Sequence, residues 1–207
     1  MEPSHPAGII RLASPDDASA LQAIYAYYVE NTVVSFETVA PDVAEFRERI
    51  RDISRDFPYL VYERDGAILG YAYAHKCFVR KAYDWDAETT IYLASNQQGK
   101  GIGRALYRAL VDILKLLEYR NLYAIIVSEN IDSCRFHERN GFKLFSVFRK
   151  TGWKMNRWLD VSWYERKIGV FEGVPSPTLS IREIQRDVID AICGQYSDLS
   201  GQYSDLI

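Results

Sequence analysis

The fold class this sequence of 207 residues predicts is α+β, a mixed central β-sheet flanked by helices. Two observations carry that expectation. Apolar periodicity gives the element order β-α-α-β-β-β-α-β-α-β-β, and a run of strands between helices argues against a doubly wound sheet. Residues 85–117, WDAETTIYLASNQQGKGIGRALYRALVDILKLL, read as a strand, a glycine turn and a helix. Trp85, Ala87, Thr89, Ile91 and Leu93 alternate with Asp86, Glu88, Thr90 and Tyr92, the period of a strand with two different faces. Ile102, Leu106, Ala109, Leu110, Ile113, Leu114 and Leu117 then recur at spacings of three and four, one apolar stripe.

In chain order, residues 8–13 (GIIRLA) form a short strand. Ser14 caps a helix that runs to Asn31, with Pro15 in its first turn and Asp17 three residues after the cap. Residues 32–37 (TVVSFE) are a loop or a short extended piece. Pro41 opens a second amphipathic helix through Val43, Phe46, Ile50 and Ile53. Strands at 58–63 and 67–78 are joined by Arg64-Asp65-Gly66, a hairpin turn in which the glycine takes positive φ. After the central unit, 122–127 (LYAIIV) is a continuous apolar strand, and Asn130 caps a helix that stops before Gly141. Two last strands lie at 142–148 and 158–168. The tail from about Val170 has a Pro-Ser-Pro linker, a helix over 180–193, and the string GQYSDL twice, from Gly194 and from Gly201. The expected division is a domain over 1–168 and an appended segment over 169–207 of little catalytic weight.

Composition narrows the function classes. Apolar residues make up 48%, enough to fill a core, and a net charge of −3 gives no reason to expect nucleic acid or an anionic membrane as partner. No apolar run approaches the ~20 residues of a membrane span, and MEPSHPAG lacks a basic segment followed by an apolar one, so a cytoplasmic location is expected. Cys77, Cys134 and Cys193 lack metal-ligand spacing, and with only three histidines no metal is expected.

A strand turning through glycines into a helix makes an anion site, because the first N–H groups of a helix have no internal partner and carry the positive end of its dipole. The dinucleotide and P-loop patterns both fit badly, since Arg104 or Leu106 occupies the third glycine position and Gly101 follows Lys100. Gln98-Gly99-Lys100-Gly101-Ile102-Gly103 instead resembles the Q/R-x-x-G-x-G/A pyrophosphate loop of the GNAT superfamily of N-acetyltransferases, which bind acetyl-CoA. Four further strings, SFE at 35–37, RKAYDWDAETTIY at 80–92, NIDSCRFHERNGF at 130–142 and TGWKMNRWLDVSWYE at 151–165, resemble the phosphinothricin and methionine sulfoximine N-acetyltransferases within it. The likeness covers residues 9–168.

That resemblance implies the GNAT fold and direct transfer of an acetyl group from acetyl-CoA to the α-amine of a small glutamate-like amino acid, by an enzyme that pairs as a homodimer. Two readings beside it are a related enzyme acting on a polyamine or a protein N-terminus, and an acyl-CoA-binding domain without turnover. An ammonium has no lone pair, so a base must take its proton before it can attack a thioester. Glu88, on the polar face of its strand, is the expected base, directly or through water, if partial burial raises its pKa; its other reading is a strand carboxylate paired with Lys or Arg. His137 stands seven residues after Asn130, where many superfamily members have a tyrosine that protonates the departing thiolate. Acid, second base, substrate contact and plain helix histidine are all open to it. Ile91, Tyr92 and Leu93 are expected along the pantetheine arm, residues Gln98 to Gly103 around the pyrophosphate, and Asn130 near the acetyl end. Phe36, Phe78, Arg80 and Tyr83 are the expected substrate contacts. Phe78 replaces a basic residue of many members, which favours the less charged sulfur compounds over phosphinothricin.

Overall fold

The computed structural model describes residues 8–199. The second GQYSDL string therefore lies outside the described residues. Twelve main elements follow one another as β1 (Ile9–Leu12), α1 (Ala18–Asn31), α2 (Val43–Ile53), β2 (Tyr59–Arg64), β3 (Ala67–Lys76), β4 (Asp86–Leu93), α3 (Ile102–Leu116), β5 (Asn121–Val127), α4 (Ile131–Arg139), β6 (Lys143–Lys154), β7 (Arg157–Lys167) and α5 (Arg186–Ser197). They build one seven-stranded sheet in the order β1-β2-β3-β4-β5-β7-β6. Every neighbouring pair is antiparallel except β4 and β5.

Strand alternation sorts the side chains onto two faces. Tyr59, Val61 and Tyr71 turn to α1 and α2, where they meet Leu21, Tyr25, Phe46 and Ile50. Leu60, Tyr62, Ala72, Ala74 and Ala87 turn the other way, onto the apolar stripe of α3 with Leu106, Leu110 and Leu114. Leu122, Ala124 and Ile126 of β5 are buried on that same face, whereas Ile125 on the other face is 37% exposed and lines a cleft, so the apolar run of this strand is covered on one side only.

Two expectations need correcting. The strand expected to end at 148 continues as β6 to Lys154, through register shifts at Leu144/Ser146 and Phe148/Gly152. It reverses through Met155 and Asn156, both at positive φ (49° and 59°). Asn tolerates that conformation but Met rarely shows it, so the turn carries no Asn-Gly type of signal. The helix expected over 180–193 is split: Ser180 caps a short 3-10 turn at Ile181–Glu183, Ile184 is extended, and α5 begins at Arg186.

The C-terminal segment is part of the packing. α5 lies on α3 and β1, and Ile181, Ile189, Cys193 and Leu199 belong to the main core. The Ser197 hydroxyl accepts from Ile10 N at 2.9 Å, and Tyr196 donates to Asp112 Oδ2 at 2.5 Å. Among the described residues no helix is long and apolar enough to cross a membrane.

Candidate active site

The parallel pairing of β4 with β5 covers only three positions, Asp86↔Asn121, Ala87↔Leu122 and Glu88↔Tyr123. Beyond Glu88 the two strands part, although β4 runs on to Leu93 and β5 to Val127. The fork opens into a cleft of about 2010 Å³ lined from both arms, by Thr90, Ile91 and Leu93 on one side and Ala124, Ile125 and Val127 on the other. Thr89 fixes the vertex: its hydroxyl donates to Tyr123 O at 3.1 Å and meets the buried Tyr107 hydroxyl at 2.5 Å.

One end of the cleft is a glycine loop shaped as a cradle. Gly99 and Gly101 take φ of 74° and 79°, and Gly101 is the N-cap of α3 in the left-handed region. A Cβ added at Gly99 would meet nothing within 4 Å, so the loop offers bare backbone to the cleft. At Gly103 the same Cβ would sit 3.4 to 3.5 Å from Phe136, Ile91 and Leu93, so this glycine lets α3 approach β4. Gln98 Nε2 donates to the Tyr28 hydroxyl (3.2 Å), which donates to Leu93 O (2.6 Å), tying the loop to the fork. Lys100 points along the exposed loop to Gln97 (3.2 Å), and Ile102 is fully buried beneath the cradle. Bare amides on a long helix, leading to an open strand arm, fit a pyrophosphate followed by an extended pantetheine chain.

Glu88, the last residue of β4 to pair with β5, stands at the vertex, its side chain 22% exposed. Burial raises its pKa, while His75 across the β3–β4 pair acts the other way. Among the described residues no Lys or Arg pairs with it; its neighbour is the imidazole of His75, with Nε2 at 3.8 Å from Oε1. Tyr92, on the same face, packs its ring among Tyr25, Tyr28 and Tyr71 at 5.1 to 5.6 Å.

On α4, Asn130 lines the cleft and its Oδ1 accepts from Ser133 N at 3.3 Å as the helix cap. His137 also lines the cleft, 3% exposed, its ring edge-on to Tyr107, Phe136 and Phe142 at 5.2 to 5.3 Å. Nδ1 donates to Ser133 O at 2.8 Å, so the lone pair is on Nε2, a buried nitrogen with no partner. Burial pulls its pKa down to about 4, so at neutral pH it is uncharged, accepts a hydrogen bond at Nε2 and has no proton to give from it.

The other end of the cleft is walled by the 32–37 loop. Lys154 reaches under it from β6 and donates to Val29 O and Ser35 O, both at 2.7 Å, and the Ser35 hydroxyl meets Tyr25 at 2.8 Å. Phe36 rests on Gly152, where a Cβ would come within 2.2 Å of its ring. Glu37 takes a forked pair from Arg49 at 2.6 and 3.2 Å. Of the four residues expected to contact substrate, Phe36 lines the cleft and Phe78, Arg80 and Tyr83 do not. Those three lie between β3 and β4, with Phe78 packed on Tyr83 (4.9 Å) and Tyr123 (5.8 Å) and Arg80 exposed. Sequence reasoning missed Tyr73 and His75, which share the cleft with Glu88. Their signal was there: Tyr71, Tyr73 and His75 alternate with alanines, a strand face of its own.

A fork beside a glycine cradle agrees with what the chain is similar to. Residues 10–163 match the acetyltransferase (GNAT) domain. This chain belongs to the GNAT acetyltransferases. It is 37% identical to a phosphinothricin N-acetyltransferase of Alcaligenes faecalis over 161 residues, 77% of this chain and 82% of that one. The crystal structure of a GNAT phosphinothricin acetyltransferase from Sinorhizobium meliloti with acetyl-CoA superposes with a TM-score of 0.79 at 33% identity, covering 84% of this chain and 96% of that chain. An L-methionine sulfoximine/L-methionine sulfone acetyltransferase of Salmonella typhimurium is 29% identical over 161 residues, 77% of this chain and 94% of that one. The chain is accordingly an acetyltransferase that uses acetyl-CoA, on the GNAT fold expected from its sequence.

Two measurements probe this acetyltransferase's site. Gly101→Val puts a β-branched side chain at positive φ beside Leu199, and acetyl-CoA affinity by calorimetry should fall about tenfold or more with the fold retained. His137 gives a pH dependence. An unfolded imidazole titrates near ~6.5 and the folded one at about 4, so between these values only the unfolded chain binds the proton. Stability is complete above ~6.5 and should fall by about 2 kcal/mol between roughly pH 7 and pH 5; in denaturant titrations His137→Phe should lose that component.

Proposed function

We propose that this GNAT enzyme acetylates the α-amine of a small glutamate-like amino acid, of the kind phosphinothricin, methionine sulfoximine and methionine sulfone represent. The observation that carries it is Glu88, a partly buried carboxylate at the vertex of the fork, reached from the cradle along one arm and from the 32–37 loop at the other side. The names of the relatives from Alcaligenes faecalis and Salmonella typhimurium supply the acceptor class.

In this reading acetyl-CoA provides the activated acetyl group, held by residues Gln98 to Gly103 at the pyrophosphate, by Ile91, Tyr92 and Leu93 along its arm, and by Asn130 near the acetyl end. Glu88 takes a proton from the acceptor's ammonium, and its raised pKa makes it a better acceptor than an exposed carboxylate. The freed lone pair then attacks the thioester carbonyl. His137 acts as a hydrogen-bond acceptor from Nε2, because its buried imidazole is neutral. Phe36 walls the acceptor. Arg80, with Phe78 and Tyr83, is assigned to the second anion on resemblance alone.

The enzyme works as a homodimer in the cytoplasm in this proposal. Support for pairing comes from the outer strands, where Phe145, Phe148, Trp153 and Trp158 are all about half exposed. Sedimentation at micromolar concentration should give twice the chain mass, and a monomer would overturn that part. Catalysis is tested by thiol release from acetyl-CoA with the three amino acids. Glu88→Gln should lower kcat by about 100-fold or more while acetyl-CoA affinity stays unchanged. Tight acetyl-CoA binding with no thiol release on any of them would overturn the reading.

A further inference from the structure

His75 on β3 is the register partner of Glu88 on β4, and both side chains face the cleft. Its Nδ1 lies 3.2 Å from Lys76 O and donates there, which leaves the Nε2 lone pair turned to the carboxylate 3.8 Å away. Once Glu88 carries a proton, its O–H is the donor that this lone pair can accept. The imidazole is also the more open of the two groups, 35% exposed against 22%.

The proposed reaction gives this pair a task. An ammonium that becomes an amide gives up two protons: R–NH3⁺ and acetyl-CoA yield R–NH–acetyl, the free thiol of CoA and one H⁺. One proton ends on sulfur and the other must reach water. A lone carboxylate holds only one, so if Glu88 keeps the first, it cannot accept the second when the C–N bond has formed. We infer that His75 acts through Glu88 as the proton outlet of the site. The Glu88 O–H bond breaks as a bond from that proton to His75 Nε2 forms. The imidazolium then releases the proton to water, and Glu88 returns to the carboxylate.

The surroundings leave the task to His75. Tyr73 lies next on the same face of β3, its ring 5.9 Å from the imidazole, and burial raises its pKa. Cys77, beyond the strand, and Tyr123, beside Glu88 on β5, are both pushed up to about 12 by burial. Asp86 accepts from Asn121 at 2.7 Å, and Arg49 is held by Glu37 and Glu45. Imidazole is the side chain that ordinarily exchanges protons near neutral pH.

The inference rests on Glu88 being the base, so the two are tested side by side. Wild type, Glu88→Gln, His75→Ala and the shape-keeping His75→Asn are compared with acetyl-CoA and methionine sulfone, following thiol release across pH and added imidazole. Both His75 variants should lose about tenfold in kcat with KM values within about twofold, and imidazole should restore His75→Ala but not Glu88→Gln. Full activity of the His75 variants beside an inactive Glu88→Gln overturns the relay and leaves the base standing. A fully active Glu88→Gln overturns both. A loss in His75→Ala that imidazole does not restore, or that appears mainly in KM, assigns His75 to structure or binding and overturns the relay.

Discussion

The site depends on two neighbouring parallel strands that stop hydrogen bonding after three residue pairs. Unpaired strand backbone in the middle of a sheet is costly unless something else satisfies it. Here the vertex is closed by side chains, with Thr89 bonded to Tyr123 O and Tyr107, so the break comes at a defined place. Past it, Tyr28 takes the Leu93 carbonyl, and the remaining arm faces a cleft wide enough for an extended ligand to lie along it. The same break places Glu88 at the narrow end, where solvent is scarce enough to raise its pKa.

The end of the cleft walled by the 32–37 loop is built differently, around a buried lysine. Lys154 is 6% exposed, and removing such a charge from water costs several kcal/mol unless its protons are taken up. Two carbonyls at 2.7 Å take two of them, one from the end of α1 and one from the 32–37 loop. A segment with no regular structure is thereby held against β6, and Phe36 is set on Gly152. Burial lowers the Lys154 pKa, with Glu37 acting against it.

The element order, the glycine loop that opens α3 and the place of Glu88 on β4 were legible because each depends on local pattern: alternation in β4, the three-and-four spacing in α3, glycines where φ is positive. The length of β6 was not, since its bulges and the Met155-Asn156 turn use residues without a strong turn preference. His75 escaped because its meaning comes from register: it matters only when set opposite Glu88, thirteen residues on, by the intervening turn. Lys154 escaped for a similar reason, since its partners lie 119 and 125 residues away along the chain. Phe78, Arg80 and Tyr83 were singled out by resemblance, and their loop lies beside the cleft of the single chain.

The contacts of α5 also set an order of assembly. β1 and α5 lie far apart along the chain, yet the Ile10 amide takes its partner from Ser197, 187 residues on, and Leu199 lies within 4 Å of the Cβ position of Gly101. The outer edge of the first strand therefore stays uncovered, and the glycine loop unsupported from behind, until α5 has docked. Neighbours in the sheet do not finish this fold by themselves: its first strand and its glycine loop are completed together, by one distant helix.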